Sequence, residues 1–186
     1  MTSKERYDRL ISPEVQQWLS ENEKADINKV LLNPSNIISD VLTDVVDQLK
    51  AKVKARKKLP RWFETSGVLW PPPISIEQAS SEITANFKAS LIDGKKLIDL
   101  TGGTGIDLLS MASQFERVEY VEQDEWLCKV FSHNSRIFSD AELVVSNTQA
   151  ENVLTQIEKD QWVYIDPARR DQLQKKVFKL EDCSPN

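Results

Sequence analysis

Cysteine is nearly missing from this 186-residue chain, which has only Cys128 and Cys183. The two lie far apart with no C-x-x-C spacing, which excludes a disulfide framework and a zinc ribbon and fits a reducing compartment. Long apolar runs are missing too: none approaches the ~20 residues that a membrane span requires. The opening MTSKERYDRL is polar and charged, unlike a signal peptide. An excess of positive charge is also absent, with 24 Lys and Arg against 29 Asp and Glu and a net charge of −5. Any contact with nucleic acid must therefore come from a local patch. There is no internal repeat and no low-complexity segment. What is present, 40% hydrophobic and 28% charged residues, is the composition of a soluble globular protein. A cytoplasmic protein with no membrane segment and no metal is expected.

Residues 1–70 read as a helical region. Ser12-Pro13-Glu14 is a helix start, with Ser12 placed to cap and Pro13 suited to the first turn. Asp26 is placed to cap a short helix that Asn33-Pro34 ends. Asn36 is expected to open the longest helix, with Ile37, Ile38, Val41, Leu42, Val45, Val46 and Leu49 forming one apolar stripe. Its end is basic: Lys50, Lys52, Lys54, Arg56, Lys57, Lys58 and Arg61 place seven cations in twelve residues. These either complement the negative end of the helix or contact phosphates, in which case Lys54, Lys57, Lys58 and Arg61 form a nucleic-acid patch.

Trp70-Pro71-Pro72-Pro73 is a stiff, extended connector. It sets an expected boundary between residues 1–70 and a second domain, 71–186. Ser75-Ile76-Glu77-Gln78 has the form of a capping box opening a helix toward Leu91. From Leu97 the chain alternates. Strands are expected at Leu97–Leu100, Val118–Val121, Leu143–Val145 and Trp162–Ile165, with helices at about Ile106–Phe115, around Trp126–Phe138 and near Glu151–Ile157. Strand–helix alternation at this spacing implies a parallel sheet.

Ligands of open α/β sheets sit at the carboxyl ends of the strands, and each strand here ends in residues suited to one. The first ends at Asp99 and the turn Thr101-Gly102-Gly103-Thr104-Gly105. There the backbone bends and can touch a ligand, beside the N–H groups that open a helix. The second ends at Glu122-Gln123, where a carboxylate can accept from both ribose hydroxyls. The third ends near Asn147 and Gln149, polar groups able to reach an adenine edge, and the fourth at Asp166-Pro167-Ala168-Arg169. Leu108 stands where a G-x-G-x-x-G dinucleotide fingerprint needs its third glycine, and the Gly-Lys-Ser/Thr of a phosphate-cradling loop is absent. A nicotinamide-dependent oxidoreductase is thereby the lesser alternative.

The turn resembles motif I, D-x-G-x-G-x-G, of class I S-adenosylmethionine (SAM) methyltransferases, with Thr101 in place of the first glycine. Asp166-Pro167 resembles the [D/N]-P-P-[aromatic] motif of nucleic-acid methyltransferases, with Arg169 where the aromatic is usual. Asp-Pro-Ala-Arg is also similar to the matching motif of RNA uracil-5-methyltransferases, which use a later nucleophilic cysteine; Cys183, only 17 residues after Asp166, comes too early for that place. Together EQASSEITANFKA, DLTGGTG and YIDPARR resemble the class I methyltransferases that carry a THUMP-like domain.

The resemblance covers about Leu59 to the end. It implies a Rossmann-like α/β fold, SAM as cofactor and an RNA base as acceptor. It places Asp99, Thr101, Gly102, Gly103, Gly105, Glu122, Gln123, Asn147 and Gln149 at the cofactor, and Asp166, Pro167 and Arg169 at the acceptor. A non-catalytic RNA-binding scaffold that keeps the fold is the other alternative. Such a sheet usually has seven strands, and four are expected here. The chain therefore reads as the N-terminal part of a longer protein, with an open sheet edge able to pair with another chain.

Overall fold

The structure is a computed structural model and describes residues 1–167. Arg169 and Cys183 lie outside the described residues. The chain divides into two compact units, Met1–Glu82 and Ile83 onward. No helix among the described residues is long and apolar enough to cross a membrane.

The first unit is helical. Helix α1 (Ser3–Leu10) opens on a complete capping box between Thr2 and Glu5. Helix α2 (Pro13–Glu21) has Pro13 in its first turn, but Ser12 makes no side-chain cap bond and instead accepts from the Arg9 guanidinium. Helix α3 (Ile27–Leu32) is capped by Asp26, which accepts from the Asn28 N–H at 2.9 Å.

The longest helix, α4, spans Leu42–Lys58 and not the expected stretch from Asn36. The Ile37 carbonyl accepts from the Arg9 guanidinium, and the Ile38 N–H closes a turn onto Ser35. Those groups are engaged outside any helix, and a three-residue 3₁₀ segment at Ser39–Val41 leads into α4. Val45, Leu49, Ala51 and Ala55 of α4 are buried, as the apolar stripe requires.

Helices α5 (Pro60–Glu64) and α6 (Pro73–Gln78) complete this unit. Pro73 occupies the first turn of α6, and the Ser75 N–H donates to the Pro72 carbonyl. Ser75 is therefore inside the helix and is not its cap. The helix also stops early, at Ala79, because the Lys58 ammonium takes the carbonyls of Ile76 (3.0 Å) and Glu77 (2.8 Å). Continuation would have used those carbonyls as acceptors. A new helix, α7 (Glu82–Ala89), follows. The unit boundary at Glu82 falls beyond Trp70-Pro71 for a local reason. The buried Gln48 amide donates to the Trp70 carbonyl and accepts from the Trp70 N–H, both at 2.7 Å, which holds the proline connector to α4.

The described residues of the second unit form four strands: β1 (Gly94–Asp99), β2 (Phe115–Glu122), β3 (Glu142–Asn147) and β4 (Gln161–Tyr164). All pairings are parallel, in the order β3-β2-β1-β4, with Leu97 level with Val118 and Trp162. Helix α8 (Ile106–Met111) follows β1, and α9 (Glu125–Phe138) follows β2. Asp124 caps α9 by accepting from the N–H groups of Trp126 (2.7 Å) and Leu127 (3.1 Å). A helix near Glu151–Ile157 does not form. Two 3₁₀ turns, Ala150–Asn152 and Leu154–Gln156, take its place. They still bring Ala150, Val153 and Ile157 against Ile98, Leu100 and Val121 of the sheet, so the apolar positions are covered without a regular helix.

Candidate functional site

The expected site residues of the second unit gather at the carboxyl ends of the strands. The turn after β1 closes through the Gly105 N–H on the Gly102 carbonyl at 2.8 Å. Gly103 (φ +53°) and Gly105 (φ +72°) both adopt the left-handed conformation that favours glycine. Gly102 is required for a different reason, since a Cβ there would meet the Tyr120 ring at 2.4 Å. Two β2 side chains then pin the same residue of the turn. The Tyr120 hydroxyl donates to the Gly103 carbonyl at 2.7 Å, and the Glu122 carboxylate accepts from the Gly103 N–H at 2.9 Å. Tyr120 is itself stacked on Phe131 of α9, with ring centroids 3.9 Å apart and planes 6° from parallel.

Asp99 is only 2% exposed and accepts from the Thr101 N–H (2.9 Å) and hydroxyl (3.2 Å). Burial raises its pKa to about 7; the Thr101 bonds act the other way, and the charges of Asp107 and Glu122 add to the rise. Thr101 thus does more than stand in for a glycine. Its hydroxyl also accepts from the Asp166 N–H at 2.7 Å, tying the end of β4 to the turn after β1. Asp166 keeps an exposed carboxylate, 55% accessible. Pro167 follows it, half-buried.

The carboxylate of Glu122 accepts the Asp124 N–H at 2.8 Å on its other oxygen, so each oxygen takes one backbone donor and retains acceptor capacity. Gln123 and Gln149 are exposed beside it. Asn147 is committed to structure through its amide, which donates to the carbonyls of Glu122 (2.9 Å) and Gln123 (3.0 Å) and fixes the backbone at the end of β2. Cys128 lies behind this point with its thiol pKa pushed up to about 11 by burial, which suits a packing role.

The structure adds residues that had no site role in the sequence reading, although Lys88 and Tyr164 lie within the segments EQASSEITANFKA and YIDPARR. Lys88 of α7 places its ammonium 2.6 Å from the Tyr164 hydroxyl, 3.0 Å from an Asp107 carboxylate oxygen and 3.8 Å from Asp166. Tyr164 donates to the same Asp107 oxygen at 3.0 Å, and its pKa is raised by burial and then by the charge of Asp107. The three side chains come from positions 88, 107 and 164. The FKA segment was visible in the sequence, but nothing local marked its lysine as facing the strand ends.

The basic run belongs to the first unit, where two of its four candidates are used internally. Lys54 pairs with Glu77, and Lys58 caps the end of α6, with burial lowering its pKa. Lys57 is exposed. Lys52 pairs with Glu23, and Arg56 lies over the Phe63 ring at 5.9 Å. The run is in good part a set of internal ties.

No protein-family model matches the chain, and no curated protein sequence matches it. Among solved structures it is similar to a candidate methyltransferase from Porphyromonas gingivalis W83, with a TM-score of 0.78 and 26% identity. The match covers 100% of this chain and 45% of that one, so the chain spans less than half the length of that protein. The second unit is an α/β, Rossmann-like parallel sheet with flanking helices, and the chain has the fold of its methyltransferase neighbour.

Proposed function

We propose that the chain is the cofactor-binding part of a SAM-dependent methyltransferase whose acceptor is an RNA base. The observation that carries this reading is the charge and wiring of the turn. In a dinucleotide or nucleoside-triphosphate site the turn N–H groups point at phosphate oxygens. Here the Gly103 N–H is already engaged by the Glu122 carboxylate, and Asp124 stands beside it. A pyrophosphate would meet like charge, whereas a cationic sulfonium meets opposite charge. Glu122 retains acceptor capacity for ribose hydroxyls, and at Gly103 an added Cβ would have as its nearest neighbour only the Thr101 carbonyl, at 3.5 Å. The residues present therefore fit SAM.

Once bound there, SAM supplies a methyl group already activated for displacement. The chain's own contribution is positioning. The Asp166 N–H bond to Thr101 fixes the acceptor side relative to the cofactor turn, and the exposed Asp166 carboxylate is free to accept from an acceptor amine. The RNA base rests on the likeness of Asp166-Pro167 to the motif of nucleic-acid methyltransferases, with Lys57 and Arg61 of the basic run exposed. Lys54 and Lys58 contribute less to such a surface because their charges are already paired or capped.

Calorimetry with S-adenosylhomocysteine, SAM and NAD tests the cofactor. Binding of the first two without NAD is expected, and the reverse would overturn the proposal. Mass spectrometry of modified nucleosides, from cells lacking the gene and from cells complemented with Asp166→Ala, tests the acceptor. An RNA modification lost in both is expected; an unchanged RNA profile would remove RNA from the reading.

A further inference from the structure

Resting on the SAM reading, we propose that Lys88 is the residue that reads the α-carboxylate at the amino-acid end of the cofactor. Lys88 thereby makes the site selective for the intact amino acid over a truncated thioether nucleoside.

The sheet order gives the direction. Ribose recognition belongs to Glu122 at the end of β2, with Asn147 and β3 on its far side. The remainder of the cofactor must then run the other way, over the turn after β1 and toward the end of β4. Two strand spacings of about 4.8 Å separate β2 from β4. The end of β4 is where Lys88 meets Tyr164, Asp107 and Asp166. The Lys88 ammonium there offers a charged donor to a carboxylate.

The lysine is also preorganised. Its ammonium is held by the Tyr164 hydroxyl and by Asp107, and those two are joined to each other. Little side-chain freedom remains to be lost when a ligand arrives. At 28% side-chain exposure it is shielded enough for its charge to count and open enough to be reached. Tyr164 remains protonated throughout the physiological range, since burial raises its pKa, so the phenol keeps donating to Asp107 and accepting from Lys88.

The test compares two probes by calorimetry on the 186-residue chain. One is S-adenosylhomocysteine, which carries the amino acid, and the other is 5′-methylthioadenosine, which does not. In the wild type S-adenosylhomocysteine binds more tightly. Lys88→Met lowers its affinity about 10- to 100-fold, the range for a charged hydrogen bond, and leaves 5′-methylthioadenosine within about twofold. Lys88→Arg keeps most of the selectivity, and Tyr164→Phe, which loosens the lysine without removing its charge, gives an intermediate loss. The 5′-methylthioadenosine affinity of each variant serves as the check that the adenosine half is still folded.

Equal wild-type affinity for the two probes overturns the role of Lys88 and leaves the SAM reading standing. So does a Lys88→Met variant that loses both probes equally or neither. Failure of the wild type to bind either probe overturns the SAM reading and this inference with it.

Discussion

Gly103 and Gly105 share one turn and one backbone region, yet alanine at the two positions should have different consequences. Both have positive φ, at +53° and +72°. An L-residue there costs about 1–2 kcal/mol from the backbone alone. At Gly103 that is nearly the whole cost to the fold, because the nearest neighbour of an added Cβ is the Thr101 carbonyl at 3.5 Å, an ordinary contact. At Gly105 the same Cβ would stand 2.2 Å and 2.6 Å from two ring carbons of Phe131. Phe131 is 1% exposed and stacked on Tyr120, so it cannot retreat without breaking the pair that shapes the turn. Overpacking of this kind adds about 1–3 kcal/mol. Gly105→Ala should therefore lose about 2–5 kcal/mol, against about 1–2 kcal/mol for Gly103→Ala. Urea unfolding followed by tryptophan fluorescence measures both. Ligand affinity should invert the order of damage among molecules that remain folded, since Gly103 is the position pinned at the proposed ligand face. Equal losses of stability, or a larger one at Gly103, would refute the packing of Phe131 against this turn.

Other outcomes follow from the same geometry. Tyr120→Phe removes the hydroxyl bond to Gly103 while keeping the ring stack, and should cost about 0.5–1.5 kcal/mol by urea unfolding; no change would mean that the turn does not need this tie. Asp99 gives a signed pH effect. Its pKa is about 7 in the folded state against 3.8 for the ordinary group, so between about pH 4 and 7 the folded protein holds a proton that the unfolded chain has lost. Its contribution to stability thus falls as pH rises through that window and levels off above it. Asp99→Asn should make the urea midpoint less dependent on pH there; an unaltered slope would rule out the burial-driven shift. In the helical unit, Gln48→Ala strands both the N–H and the carbonyl of Trp70, at about 1–3 kcal/mol each. A thermal melt should register a loss of about 2–6 kcal/mol, and a change no larger than that of an exposed glutamine would argue against the buried ties.

The parts of this molecule that were legible in the sequence are those governed by neighbours along the chain. Alternating apolar runs marked the four strands. Glycines placed the turn after β1, and Asp26 and Pro13 marked helix starts. The acid at the end of β2 and Asp166 at the end of β4 follow from knowing where a strand stops. The misreadings share one cause, a local signal overruled by a distant partner. Arg9 takes the Ile37 carbonyl, so α4 begins at Leu42. Lys58 takes the carbonyls that would have extended α6, so one expected helix became two. Within the basic run, the same kind of distant partner pairs Lys54 with Glu77 and sets Lys58 on the end of α6.

The alternation of strand and helix, the glycine turn and the identity of the acids around it are set along the chain, because they depend on backbone preference and residue type. The surroundings of that turn depend instead on how distant strands and helices come together. The order β3-β2-β1-β4 aligns the strand ends. Tyr120 and Phe131 then account for why Gly102 and Gly105 admit no side chain. Asn147 is assigned to the backbone of Glu122, and Lys88, Asp107 and Tyr164 meet beside Asp166. Side chains separated by up to 76 positions become neighbours only when the strands pair, and no spacing along the chain encodes that distance.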